Sequence, residues 1–189
     1  MGFFDEVIDP AWIVPRENYS PDPPWLGPPH DVIPARVETE LELVRTLDLV
    51  VWISGSAVFP GGVGLELHVR WNRPRRVQLP VVPGDLGRRG LCLGVHFDDG
   101  RRVLAIPRRR QPTQAQQTQL VVVAPLRARP CFATTEIWLW PLPTVALSWV
   151  VEWRDQRIGE SRVRFDVAPL GDVACDARPV WPARHGASG

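Results

Sequence analysis

In VGLELHVRW, residues 63–71, Leu65, Leu67, Val69 and Trp71 take every second position, and Glu66, His68 and Arg70 stand between them. Successive side chains of an extended chain point to opposite faces, so a period of two specifies a strand with one buried and one solvated side. A helix would scatter the same four apolar residues around its surface. The pattern recurs. In VETELEL, Val37, Thr39, Leu41 and Leu43 alternate with three glutamates, and LCLGVHF groups Leu91, Leu93, Val95 and Phe97. SRVRFDV pairs Val163 with Phe165. DLVVWISG (48–55) is more uniformly apolar, as a central strand would be, and LVVVAPL (120–126) is another strand. RVQLPVV (76–82) reads as an edge strand, because Pro80 cannot donate to a ladder.

Turn chemistry separates these runs. FPGG (59–62) is a turn, and Asp99-Gly100 within DDG (98–100) predicts a hairpin whose two central residues take positive φ. RRRQPTQAQQTQ (108–119) is polar and of low complexity, an exposed loop or the tip of a long hairpin. In WLWPLPTVALSWVVEW (138–153), Trp138 and Trp140 share a face before Pro141 and Pro143 end their strand. Leu147, Trp149, Val151 and Trp153 then share one face of the next, and core filling is the expected role of such rings. Trp138 and Trp140 lie beside the corner, where an accessible surface position is the alternative. Residues 168–177 form a short helix with Pro169 in its first turn, and Trp181 in the tail docks back.

About eight to ten short strands without strand–helix alternation predict an all-β fold. The expected architecture is an antiparallel β-sandwich of immunoglobulin-like type, with a barrel as the alternative. It spans residues 36–182, between a Pro-rich aromatic arm (1–35) and a tail (183–189). The arm holds Pro15, Pro21, Pro23, Pro24, Pro28, Pro29 and Pro34, which favour extended chain. It also holds Phe3, Phe4, Trp12 and Trp25, which a solvated linker rarely carries. Either the arm lays these rings on its own domain or it docks another protein.

The net charge of +1 hides an asymmetry. Residues 1–66 carry 11 acids and 3 Arg, residues 67–130 carry 3 acids and 13 Arg, and the remainder is nearly balanced. The middle segment is therefore about +10 and could face nucleic acid or another anion through Arg73, Arg75, Arg76, Arg88, Arg89, Arg101, Arg102, Arg108, Arg109 and Arg110. It could equally face the chain's own acidic first third. All 22 basic residues are Arg.

Catalytic patterns fail one by one. The chain has no G-x-S-x-G elbow and no P-loop lysine. Cys92 and His96 sit four apart on a predicted strand, about 13 Å, too far to share a metal. His30, His68 and His185 are scattered, and Cys131 and Cys175 read as small buried hydrophobes. The expectation is no catalytic residue, no metal and no cofactor. Three widely spaced cysteines, no apolar run long enough to span a bilayer and no secretory signal suit a cytoplasmic protein. The leading reading is a non-enzymatic protein-interaction or scaffolding module that binds a protein partner or itself. Its candidate residues are Phe3, Phe4, Trp12, Trp25, Trp138 and Trp140, with an exposed sheet edge as a second surface. A ligand- or carbohydrate-binding sandwich using Trp52, Trp71, Trp138 and Trp140 is a further alternative.

PPWLGPP (23–29), LVVWISGSAVFPGGVGLELHVR (49–70), LCLGVHFDDGRR (91–102), WLWPLP (138–143), VVEW (150–153) and PVWP (179–182) together resemble a family of small actinobacterial proteins of unknown function. The resemblance runs from Phe3 to about Pro182. It implies that the arm belongs to the protein, and it implies no activity.

Overall fold

The computed structural model describes residues 22–74, 90–108, 118–124 and 127–181. Its strands are β1 (Val32–Ile33), β2 (Ala35–Arg45), β3 (Leu49–Phe59), β4 (Gly62–Trp71), β5 (Cys92–Phe97), β6 (Arg102–Pro107), β7 (Gln119–Val122), β8 (Arg127–Arg129), β9 (Phe132–Trp140), β10 (Leu147–Trp153), β11 (Ile158–Phe165) and β12 (Arg178–Pro179). The helix expected after β11 is present as α1 (Ala168–Val173), with Pro169 in its first turn. The expected strand at 76–82 and the segment 109–117 lie outside the described residues, as do Phe3, Phe4 and Trp12.

Nine strands follow one path, β11-β10-β5-β6-β7-β9-β4-β3-β2, with β8 beside β9. β1 and β12 form a separate pair. The path curls until its ends meet, where the Ser161 hydroxyl on β11 donates to the Leu43 carbonyl on β2 at 3.0 Å. The result is a mostly β, nearly closed, barrel-like sheet. The antiparallel expectation fails at one described pair: β6 and β7 run parallel, with Ala105 opposite Leu120. Parallel neighbours need a crossover, so β6 and β7 are not the two arms of one hairpin. A continuous apolar run such as LVVV carries no information on strand direction, which is why the sequence did not disclose it.

Alternation becomes burial strand by strand. Leu65, Leu67, Val69 and Trp71 are buried, as are Leu91, Leu93, Val95 and Phe97. So are Leu147, Trp149, Val151 and Trp153. Trp71 meets Trp153 edge-on at 6.1 Å, and Trp149 meets Phe165 at 6.4 Å, so aromatic contacts run across the core. In β2 the glutamates are exposed, and Val37, Thr39 and Leu41 are only half-buried, because this strand ends the sheet.

β3 changes face partway along. Leu49, Val51 and Ile53 point inward, but beyond Gly55 the inward residues are Ser56 and Val58, and Ala57 and Phe59 turn out. Gly55 has φ +58 and, with Ser56, opposes Leu65 where one residue would normally stand. This is a bulge, and glycine supplies the left-handed residue it needs. The flip brings Phe59 to the outer face.

The β5–β6 hairpin forms, but with three loop residues. Gly100 N–H donates to the Phe97 carbonyl and Phe97 N–H to the Arg101 carbonyl, each at 2.9 Å. Gly100 has φ +90, and Asp99 has no positive φ, contrary to the two-residue turn expected. The Asp99 carboxylate instead accepts from the Arg101 backbone at 3.1 Å and its guanidinium at 2.8 Å, which favours the longer loop. Trp181 does not dock back: it is 73% exposed, just past the β1–β12 pair.

Candidate functional site

Cross-strand register arranges the outer face of β2, β3, β4 and β9 into rows. Trp52 lies opposite His68, and His68 opposite Thr134. Two residues along, Glu40, Ser54, Glu66 and Glu136 form the next row. On the other side stand Arg45, Val50, Arg70 and Phe132, continued by Arg129 on β8. An acidic row and a basic row therefore flank a central one.

The rings form a ladder. Trp52 stacks on His68 at 4.8 Å and 15°, and His68 stacks on Phe132 at 6.0 Å and 27°. The Arg70 guanidinium lies 5.7 Å from the Phe132 centroid. Ser54 Oγ is 2.7 Å from His68 Nε2, and Glu66 Oε2 is 3.5 Å from the same nitrogen. His68 Nδ1 is buried with no partner. Burial pushes the His68 pKa below the ordinary histidine value, Glu66 opposes this, and Arg70 adds to it. The cheapest arrangement is a neutral ring with its proton on Nε2, where Ser54 and Glu66 accept it, and a bare lone pair at Nδ1. Such an imidazole cannot take a proton from Ser54. A catalytic triad also needs its acid on the other nitrogen, and Glu66 shares the serine's.

The remainder of this face is covered. Trp138, Phe59 and Val121 form a small outer cluster, with Trp138 edge-on to Phe59 at 5.5 Å. Residues of the arm lie on it: Trp138 Nε1 donates to the Pro24 carbonyl at 3.0 Å, and Trp25 packs against Trp140 at 6.1 Å. A Cβ at Gly62 would come within 2.6 Å of the Trp138 ring, so the indole rests on bare backbone. Asp22 and Arg108 are ion-paired across the same region. Trp25, Trp138 and Trp140 are therefore brought together, on the chain's own sheet. Between covered and open halves is a pocket of about 250 Å³, with Pro28, Pro34 and Arg36 on one side and Gly55, Gly64, Glu66 and Glu136 on the other.

The four arginines of this set that are described, Arg73, Arg101, Arg102 and Arg108, do not share one surface. Arg101 is held by Asp99 and Thr118 and lies 4.5 Å over the Phe97 ring, and Arg108 is held by Asp22. Arg102 starts β6, beside the Trp140 end of β9, whereas Arg73 follows β4 at the Phe132 end. A nine-residue strand puts those ends about 26 Å apart. Arg75, Arg76, Arg88, Arg89, Arg109 and Arg110 lie outside the described residues. Among the described residues no group of three or more His, Cys, Asp or Glu could hold a metal ion. Cys131 is half-buried and Cys175 exposed, so neither is the buried hydrophobe expected. Trp71, named as a possible ligand surface, is in the core.

Alternation in the sequence puts His68 on the outward face with Glu66 and Arg70 but does not join it to Trp52, Ser54 or Phe132. The available signal was phase: Glu66, His68 and Arg70 share the outward face of β4, and Trp52 is out of step with the inward Val51 and Ile53. Comparison with family models, curated proteins and solved structures gave no match.

Proposed function

We propose that this chain is a non-enzymatic interaction or scaffolding module that engages a protein partner through the open half of the outer sheet face. The observation that carries this reading is the half-buried ladder of Trp52, His68 and Phe132, topped by Arg70 and bordered by exposed charges of both signs. Aromatic and arginine side chains in such settings concentrate binding energy at interfaces. Trp25, Trp138 and Trp140 leave the proposed contact set, because they pack on one another and on Pro24. Nucleic-acid or other anion binding through the Arg-rich segment 70–110 is the alternative, with Arg70 on Phe132 in its favour and the internal pairing of Arg101 and Arg108 against it. Carbohydrate stacking is disfavoured because the ring faces already contact one another.

The finer fold description belongs to the same proposal. β2, β3, β4 and β9 would face β5, β10 and β11 as two sandwich layers of immunoglobulin-like build, joined by β6 and β7. A cytoplasmic setting and kinship with the small actinobacterial proteins rest on sequence alone and are proposed on that footing.

The test is capture of partners from the native host by the tagged full chain, with and without nuclease, beside a Trp52→Glu variant. A stoichiometric protein retained after nuclease and lost in Trp52→Glu is expected. Capture indifferent to Trp52→Glu would remove this face from the reading, and recovery that collapses with nuclease would favour the anion alternative.

A further inference from the structure

Resting on the reading just given, we propose that the partner which fits the open face is a second copy of this chain, docked face to face about a two-fold axis along the aromatic row. The argument is charge geometry. Arg45, Arg70 and Arg129 are exposed on one side of the Trp52–His68 row, and Glu40, Glu66 and Glu136 are exposed on the other. Adjacent rows are about 7 Å apart, two residues along the strand. A two-fold axis in the plane of the face, parallel to the rows, keeps each strand over its own counterpart and exchanges the two sides. Arg70 of one copy then lies over Glu66 of the other and Arg45 over Glu40, each contact occurring twice, while Arg129 on β8 lies one strand, about 4.8 Å, to the side of the other copy's Glu136 on β9. Trp52 and His68 lie over the same two rings of the other copy, and Phe132, which stands in the basic row, lies over its Glu136. An axis along the strands would instead put arginine on arginine, so the charges select one orientation.

Two further features agree with this placement. Glu66 and Glu136 stand directly opposite each other on neighbouring strands, where like charges destabilise a sheet; their own Arg127 borders both, and a facing Arg70 adds a second cation. The arm lies on the same sheet face beyond the acidic row, over Trp138 and Trp140. Exchange of the sides carries it past the Trp71 end of the other copy's strands, clear of the contact. Glu42 and Arg127 end the central row and face their own counterparts across the axis, Glu42 closed on its own Arg45 and Arg127 beside its own Glu66 and Glu136, each with its charge partly met within the chain. Five strands about 4.8 Å apart and three rows set an upper bound of about 500 Å² per copy, which the curl of the sheet lowers, the size of a weak, reversible interface.

The test is sedimentation equilibrium of the full chain from about 10 to 500 µM, at about 50 and 500 mM salt. The expected result is a monomer–dimer equilibrium at low salt that weakens at least about tenfold at high salt. Arg70→Glu with Arg129→Glu turns the basic row acidic except at Arg45, and Glu66→Arg with Glu136→Arg turns the acidic row basic except at Glu40. Each double variant alone is expected to be monomeric, and an equal mixture is expected to associate, since a mainly acidic face meets a mainly basic one. All four sites are exposed, and unchanged circular dichroism and melting would confirm that each variant folds. A wild-type chain monomeric throughout, or a dimer indifferent to both double variants, overturns the proposal. Those results leave the reading of the face as a docking site standing if Trp52→Glu still abolishes capture of a different protein.

Discussion

The covered and open halves of the outer sheet face share strands and differ in what those strands point outward. Toward the β3–β4 turn, Phe59, Val121 and Trp138 face out with glycine and alanine around them, and the arm lies over them. Toward the other end the outward positions are charges and rings that stack on one another, and the charges stay exposed. A large isolated apolar side chain on a sheet surface gains from a cover; a ring flanked by rings, with a hydroxyl and a carboxylate on its nitrogen, is already half removed from water. The cover also needs a fitted floor. Trp138 sits on Gly62, and its N–H reaches the Pro24 carbonyl, so polar satisfaction fixes where the arm lies.

The sharpest way to break this contrast is to truncate a ring on each side. Trp138→Ala is expected to cost about 3–5 kcal/mol in urea unfolding, because it empties a fully buried site and removes the hydrogen bond to the Pro24 carbonyl. Trp52→Ala, half-buried, is expected to cost about 1 kcal/mol. Equal losses would mean that the open half is as structural as the covered one. Gly62→Ala tests the floor separately. Its new methyl would meet the Trp138 ring at 2.6 Å and the Leu139 carbonyl at 2.7 Å, so a loss of about 1–3 kcal/mol is expected. A neutral result would mean that the indole moves freely and the arm does not pin it.

The inward half of this molecule was legible because alternation is local. Leu65 to Trp71, Leu91 to Phe97 and Leu147 to Trp153 declare their buried face within a few residues. Three things were not local. The parallel pairing of β6 with β7 depends on chain direction across the sheet. The bulge at Gly55 shows only in the register against β2 and β4. The ladder needs residues 52, 68 and 132 on three strands to fall side by side, which no spacing along the chain specifies. The arm's rings were legible as present and ambiguous as to partner, since Trp25 gives no sign in sequence that Trp140 is waiting for it.

Acid offers a gentler probe of the open half alone. The His68 pKa is held down chiefly by burial, with Arg70 acting in the same direction and Glu66 against it. As pH falls, the unfolded chain therefore takes up this proton before the folded one. The stability supplied by neutral His68 is complete above about pH 6.5, declines below it, and levels off once the folded pKa is passed. His68→Phe keeps a ring in the stack and removes the titration. The stability difference between wild type and His68→Phe is expected to move against wild type between about pH 7.5 and 5.5, as read from melting temperatures. A difference that stays constant would show that His68 protonates as easily in the fold as out of it.

The smallest expected effect concerns what holds the arm down. Asp22 and Arg108 join the arm to the end of β6, but both side chains are more than a third exposed, at 39% and 37%. An ion pair so placed contributes about 0–1 kcal/mol and is screened by salt. The rings beside it bury far more surface, and the Trp138–Pro24 hydrogen bond is itself partly buried. Asp22→Asn is therefore expected to lower stability by less than about 1 kcal/mol, with the loss shrinking as salt rises. Trp25→Ala, at the same arm, is expected to cost more and to be indifferent to salt. If Asp22→Asn proved the more damaging of the two, the arm would be held by charge. The covered half would then resemble the open half in kind, differing only in having found its counter-charge within the chain.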